Sequence, residues 1–250
     1  MSVLVTRPGQ PGEALCRQLR AVGIQAVHHP LIGFHAGSEL EQLPARLKQC
    51  DLVIAVSQQA VFYSQEYLNL HGFSWPSDIR YLAIGQKTAQ LLSNFTQQTV
   101  NYPAISDSEN FLSLPELSAP VGLRVEILRG NGGRDLIARQ LTSQGAVVNY
   151  CEVYQREMLP FNTRVAVSEW QRAAIDCVII TSGQQLRFFV TQIAEHNMPW
   201  LLNQTFYVPS ERIAHDAQSL GIKHTIAVGS ASNSDLVAAI LAEKNDRNHE

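Results

Sequence analysis

The residues best suited to chemistry stand where short apolar runs end. Thr6-Arg7-Pro8-Gly9 follows Val3–Val5, Ser57-Gln58-Gln59 follows Leu52–Val56, and Gly85-Gln86-Lys87-Thr88 follows Tyr81–Ile84. Further on, Arg129-Gly130-Asn131-Gly132-Gly133 follows Val125–Leu128, Thr181-Ser182-Gly183-Gln184 follows Cys177–Ile180, Ser210-Glu211-Arg212 follows Phe206–Val208, and Gly229-Ser230 closes the series. Most of these sets open a helical pattern. A strand-to-helix turn leaves the first backbone N–H groups of the helix unpaired and concentrates the positive end of its dipole there. Each such end favours an anion by about 0.3–1 kcal/mol, and several converging ends add up. The expected ligand is therefore anionic. The expected binding residues are Thr6, Arg7, Ser57, Gln58, Lys87, Thr88, Arg129, Gly130, Asn131, Ser182, Gly183, Ser210 and Arg212. Any single Ser or Thr among them serves equally as a helix N-cap, which is compatible with binding. Arg7 and Arg129 each place a charge at the end of an apolar strand; the alternative for both is a structural pair with a nearby carboxylate.

Other chemistries find little support. Gly130-Asn131-Gly132-Gly133 begins like a dinucleotide loop, but Asp135 stands where the third glycine belongs. There is no Walker loop and no serine nucleophile elbow. The eight histidines show no ligand spacing: His28 and His29 sit in a strand, and His35, His71 and His249 read as loop or tail residues, so no metal is expected. No carboxylates occupy equivalent turns, which leaves an acid/base dyad without support. Cys16, Cys50, Cys151 and Cys177 are scattered through apolar segments and read as buried reduced thiols. With no export signal before the first strand, a cytoplasmic location is expected. A formal charge of −3 without a basic cluster gives no affinity for nucleic acid, and the longest apolar runs are far too short to span a membrane.

The elements that must position these turns alternate between strand and helix. Expected strands are Val3–Thr6, Ala26–Pro30, Leu52–Val56, Arg80–Ile84, Thr99–Tyr102, Val125–Leu128, Val147–Tyr154, Cys177–Thr181, Phe206–Val208 and Thr225–Val228. Most are continuous Val, Ile and Leu, the pattern of strands covered on both faces, so the fold class is α/β with parallel sheets. Helices are expected to end at Gly23, Gly145 and Gly221, and Ser106 with Glu109 has capping-box spacing. The polar end, Glu243–Glu250, is expected to fray.

The chain also repeats itself. Val3–Ile32 aligns without a gap on Val125–Tyr154, pairing Val3 with Val125, Arg7 with Arg129 and Gly23 with Gly145; Asp51–Ala60 then echoes in the segment from Asp176. A repeat of this length means a duplicated domain of five strands, the size of a small doubly wound sheet, and two such domains make a cleft. Cutting near Pro120 finds no flexible linker. Cutting at the turn-rich stretches instead gives one domain from 1–35 and 160–250 and a second from 38–155, with linkers at 33–38 and 155–163. Composition leans towards the second cut.

These residues together resemble the uroporphyrinogen-III synthase family over nearly the whole length. The resemblance rests on Leu4-Val5-Thr6-Arg7-Pro8, Ser57-Gln58-Gln59-Ala60-Val61, Ala83–Ala89 and Ile127–Arg134, then on Tyr150–Arg156, Thr181-Ser182-Gly183 and Pro209–Ala214. Each motif is short; their order and spacing carry the likeness. It implies two flavodoxin-like domains with five-stranded parallel sheets, joined by a two-strand linker. It implies a cofactor-free lyase that dehydrates and cyclises the linear tetrapyrrole hydroxymethylbilane, inverting the terminal pyrrole ring, in haem biosynthesis. Tyr154 matches the tyrosine proposed in the family to protonate the departing hydroxyl; packing within its strand is the other reading. A monomer is implied, with no partner beyond a passing contact with the preceding enzyme. The acetate and propionate groups of such a substrate agree with the anion-binding turns. Rival readings are a non-catalytic cytoplasmic anion-binding protein of two domains and, weakened by the missing glycine, a nucleotide-dependent transferase.

Overall fold

The computed structural model describes residues 1–247, and the chain divides into two compact units, Met1–Gly33 with Glu157–Glu250, and Phe34–Arg156. The chain starts with β1 (Ser2–Val5), α1 (Gly9–Ala21), β2 (Gln25–His28) and β3 (Ile32–Ala36). It continues through α2 (Leu43–Leu47), β4 (Leu52–Ala55), α3 (Gln58–Leu70), β5 (Arg80–Ala83), α4 (Gln86–Thr96) and α5 (Ser108–Phe111). Next come β6 (Arg124–Gly130), α6 (Leu136–Ser143), β7 (Val147–Met158), α7 (Thr163–Arg172) and β8 (Cys177–Ile179). The last elements are α8 (Gly183–Leu202), β9 (Thr205–Val208), α9 (Glu211–Ser219), β10 (His224–Ala227) and α10 (Asn233–Arg247).

In the unit that carries both termini, five parallel strands run in the order β10-β9-β8-β1-β2. Successive side chains of a strand point to opposite faces, and here both faces are covered. Leu4, Val178 and Phe206 pack with Trp170 of α7 and Phe189 of α8 on one side. Val3, Val5, Cys177, Ile179 and Tyr207 pack with Leu15 and Leu19 of α1 and Leu236 and Ile240 of α10 on the other. That two-sided burial is why the strands lack alternation; each large apolar side chain so buried contributes roughly 1.5–3 kcal/mol.

The middle unit repeats the plan. Its order is β3-β7-β6-β4-β5, with β7, β6, β4 and β5 parallel. Val53, Ala55 and Cys151 face helices α2 to α4, while Leu52, Ile54 and Ile127 face Phe111 of α5 and Ile137 and Leu141 of α6. Matched against the sequence repeat, β6 and β7 correspond to β1 and β2, and β8 and β9 to β4 and β5. Each unit is thus built from the opening βαβ of one copy and the later strands of the other.

Several expectations need correcting. The sheet of the middle unit is mixed rather than parallel. The antiparallel strand is β3, which lies in the expected 33–38 linker, where two crossing strands were expected, and pairs with β7: from Leu31–Leu159 to Gly37–Val153, the bonded partner falls by as many residues as the first rises. β7 likewise runs on to Met158, into the expected 155–163 linker. Thr99–Tyr102 is not a strand but a single bridge, Asn101 to Leu82, because Pro103 soon removes the next donor. The cap of α5 is Asp107, which accepts from Asn110 N, and not Ser106. Helix α10 continues to Arg247, past the point where fraying was expected; the remainder of that expectation, residues 248–250, lies outside the described residues.

Helices α1 and α6 end as expected, with Gly23 and Gly145 at φ +71° and +94°, a region that costs other residues strain. All four cysteines are buried. No described helix is long and apolar enough to cross a membrane. Among the described residues, no group of three or more His, Cys, Asp and Glu could hold a metal.

Candidate functional site

In the middle unit, expected residues meet at the carboxyl ends of β4 and β6. Ser57, in extended backbone, caps α3 by accepting the Ala60 N–H at 3.1 Å, and its hydroxyl donates to the Tyr154 phenol oxygen at 3.2 Å. Tyr154 is 5% exposed, stacked on Tyr63 with ring centroids 6.1 Å apart and edge-on to Phe34 at 6.0 Å. Gly130 lies flat against that ring: a Cβ there would sit 2.6 Å from it. The neighbouring Asn131 is exposed and ties the turn to β7, its amide donating to the Arg156 carbonyl at 3.1 Å and accepting the Arg156 N–H at 2.7 Å.

Arg129 is buried at the end of β6. Its guanidinium donates to Asp135 Oδ1 at 3.0 Å and lies 4.3 Å from the Tyr150 ring centroid. Tyr150 also donates to Asp135 Oδ1, at 3.1 Å. The bond from Arg129, with a second from Tyr150, holds the Asp135 carboxyl below the ordinary range, while burial and then Asp135 push the Tyr150 phenol up. Beside this triad is a pocket of about 180 Å³, lined by the apolar Val56, Ile84, Ile127 and Ile137 and by Ser108, Gly132, Gly133 and Arg134. Gln58 and Lys87 stand on the first turns of α3 and α4, and Thr88 is buried one residue further.

In the unit with the termini, the expected residues fall into two groups. Thr6 is fully buried, its hydroxyl donating to the Ile179 carbonyl at 2.7 Å, so its side chain joins β1 to β8 and is not available to a ligand. Arg7 is half-buried and reaches the Ala231 carbonyl and Asn233 Oδ1, the latter at 3.0 Å; burial lowers its pKa. The second group surrounds Gly183. Ser182 caps α8 by accepting from Gln185 N at 3.3 Å, and a Cβ on Gly183 would lie 3.6 Å from Arg187 and Asp216 and 3.9 Å from Arg212. Arg212 pairs loosely with Asp216 at 3.7 Å, and Ser210 stands before α9 without capping it.

Tyr150, Arg134 and Ser108, which line the pocket, and Asp135, which pairs with Arg129, were not among the expected binding residues. The repeat held one signal for them. Tyr150 aligns with His28, whose Nε2 lies 2.8 Å from the Arg7 carbonyl, so each copy sets an aromatic side chain beside its strand-end arginine.

Open α/β sheets whose strand ends carry helix N-termini and arginines define a protein built for an anionic small molecule. A family model described as uroporphyrinogen-III synthase HemD matches residues 13–238. The uroporphyrinogen-III synthase of Escherichia coli (strain K12) is 40% identical over 245 residues, covering 96% of this chain and 100% of that protein. That of Proteus mirabilis is 38% identical over 180 residues, 70% of this chain and 90% of its own. Crystal structures of a mutant uroporphyrinogen III synthase from Thermus thermophilus and of the Helicobacter pylori enzyme share the fold. The first has a TM-score of 0.63 at 16% identity, covering 98% of this chain and 99% of that one. The second has 0.59 at 17%, covering 96% and 98%. The chain belongs to the uroporphyrinogen-III synthase family. It is accordingly an enzyme, a cyclising lyase of tetrapyrrole biosynthesis.

Proposed function

We propose that the chain takes hydroxymethylbilane, expels its terminal hydroxyl as water and closes the macrocycle with the last pyrrole ring inverted, and that it does so without a cofactor. The observation that carries the residue assignment is the Ser57–Tyr154 hydrogen bond of 3.2 Å. Because Ser57 supplies the proton of that bond, the phenol's own proton remains available to the departing hydroxyl. Loss of water leaves a cation spread over an electron-rich pyrrole, so modest acid help suffices. General acid catalysis contributes about 10²–10⁴-fold. The harder task is regiochemical, since the chain must be held so that the substituted carbon attacks. Positioning of this kind can supply roughly 7–11 kcal/mol.

The positioning groups are the turns of each unit, which serve as the two domains of the enzyme. They are Ser57, Gln58, Lys87, Thr88, Arg129, Gly130 and Asn131 in the middle unit, and Arg7, Ser182, Gly183, Ser210 and Arg212 in the unit that carries both termini. Their free N–H groups and cations suit the acetates and propionates of the bilane. The enzyme works as a monomer in the cytoplasm and touches the preceding pathway enzyme only in passing. Incubation with freshly made hydroxymethylbilane, followed by oxidation and separation of isomers, tests the reading. Type III product without added cofactor is expected; only the type I isomer, formed at the uncatalysed rate, rejects it.

A further inference from the structure

Asp135 stands at the N-cap of α6, a position where a carboxylate ordinarily accepts the helix's own N–H groups, yet its side chain makes no cap bond. It is spent on Arg129 and Tyr150. The two members of the ion pair are unequal: the Arg129 side chain is 8% exposed and that of Asp135 60%. A buried guanidinium whose charge is met by a solvent-facing acid is primed for exchange, because another carboxylate arriving from solvent can take the same place. The surroundings suit such an arrival. The uncapped start of α6 and the open turn at Gly132 and Gly133 border the pocket, and Arg134, paired with the exposed Glu109 at 3.5 Å, lines it as a second cation. The apolar lining of Val56, Ile84, Ile127 and Ile137 suits one flat ring. Its volume is well under the roughly 300–1,000 Å³ of sites that enclose a whole drug-sized ligand.

We propose that Asp135 is an internal surrogate for a substrate carboxylate: it occupies Arg129 in the empty enzyme and is displaced when one carboxylated pyrrole ring enters this pocket. The inference rests on the substrate class given above. It makes Asp135 and Tyr150 positioning residues, which hold Arg129 aligned and its charge neutralised until a ring competes for it. No covalent step is involved.

The probe is porphobilinogen, a single pyrrole bearing one acetate and one propionate, titrated into the full chain and followed by NMR. Asp135→Asn removes the competitor and tightens binding by roughly three- to tenfold, the worth of a modest ion pair. Tyr150→Phe releases one bond to Asp135 while leaving a ring beneath Arg129, and tightens binding less. Arg129→Gln loses it. The proposal is overturned if Asp135→Asn and Tyr150→Phe, both with unaltered unfolding temperatures, bind the probe no better than the wild type. It is overturned equally if none of the folded proteins binds. Because the titration needs no turnover, failure here leaves the isomer assay untouched, and failure of that assay is read separately.

Discussion

The Ser57 hydroxyl performs two tasks, accepting the Ala60 N–H that starts α3 and donating to the phenol oxygen of Tyr154 on β7. A residue that reads as a simple N-cap in the sequence thereby orients Tyr154, the side chain we propose as the acid. Removing the phenol while keeping the ring separates the two readings of Tyr154. Tyr154→Phe is expected to slow type III formation by about 10²-fold, at the lower end of general acid catalysis, with the unfolding midpoint little changed. A near-normal rate would return Tyr154 to a packing role.

Gly130 sets where that ring lies. Since a Cβ would come within 2.6 Å of the Tyr154 ring, Gly130→Ala is expected to push the ring aside and reduce kcat by roughly tenfold, with a loss of about 1–3 kcal/mol in stability from overpacking. Stopped assays with denaturant titration of the same protein check both halves.

The two repeat-related arginines should fail differently. Arg129→Ala removes a buried charge next to the pocket, and the expected result is a raised KM. Arg7→Ala also releases the Ala231–Asn233 segment that its guanidinium ties down, so a lower melting temperature should accompany the raised KM. Unchanged KM values in folded variants would make both residues structural.

Stability of the middle unit depends on another arginine, which sequence reading passed over. Arg46 donates to Glu126 at 3.1 Å and to Glu39 at 2.8 Å, and also reaches the Tyr150 carbonyl. The Glu126 side chain is 3% exposed, and burial raises its pKa although Arg46 pulls the other way. Arg46→Ala strands that acid and is expected to cost about 3–5 kcal/mol. Replacing both partners with methionine should restore most of it, as read from urea midpoints.

His29 supplies a pH dependence. Its ring meets the edges of Phe161 at 4.6 Å and Trp170 at 4.9 Å, and burial, with a smaller contribution from His28, lowers its pKa in the folded state. The native state therefore binds fewer protons than the unfolded chain. Its contribution is fully present above the ordinary value near 6.5 and is lost as pH falls through the lower folded value. Melting temperature should decline below about pH 6.5, and His29→Phe should flatten that slope.

What the sequence revealed follows from how strongly each segment is constrained. Val3–Val5 and Leu52–Ala55 are buried on both faces, and only an apolar run satisfies that; such strands announce themselves. Strand β3, Ile32-Gly33-Phe34-His35-Ala36, is an edge paired on one side and only partly buried, so nothing demanded a regular pattern, and it read as a turn-rich linker. Arg7 and Arg129 were visible because the repeat singled them out. Asp135 was seen only as a missing glycine, since an acid's partner across a turn leaves no mark on spacing. Nothing in the sequence marks that the Thr6 hydroxyl satisfies a buried carbonyl instead of facing solvent.

The exchange of opening βαβ segments between the two copies governs the order in which the protein can mature on the ribosome. Phe34–Arg156 is contiguous and can close its sheet as soon as it emerges. Strand β1 can pair early only with β2: its other neighbour, β8, begins at Cys177, so at about 5–20 residues per second that edge of β1 stays open for on the order of ten seconds or more. The nascent chain thus carries an orphaned, sticky leader behind which a finished body is already assembling, and any factor that shields it during synthesis would have its binding window fixed by that wait.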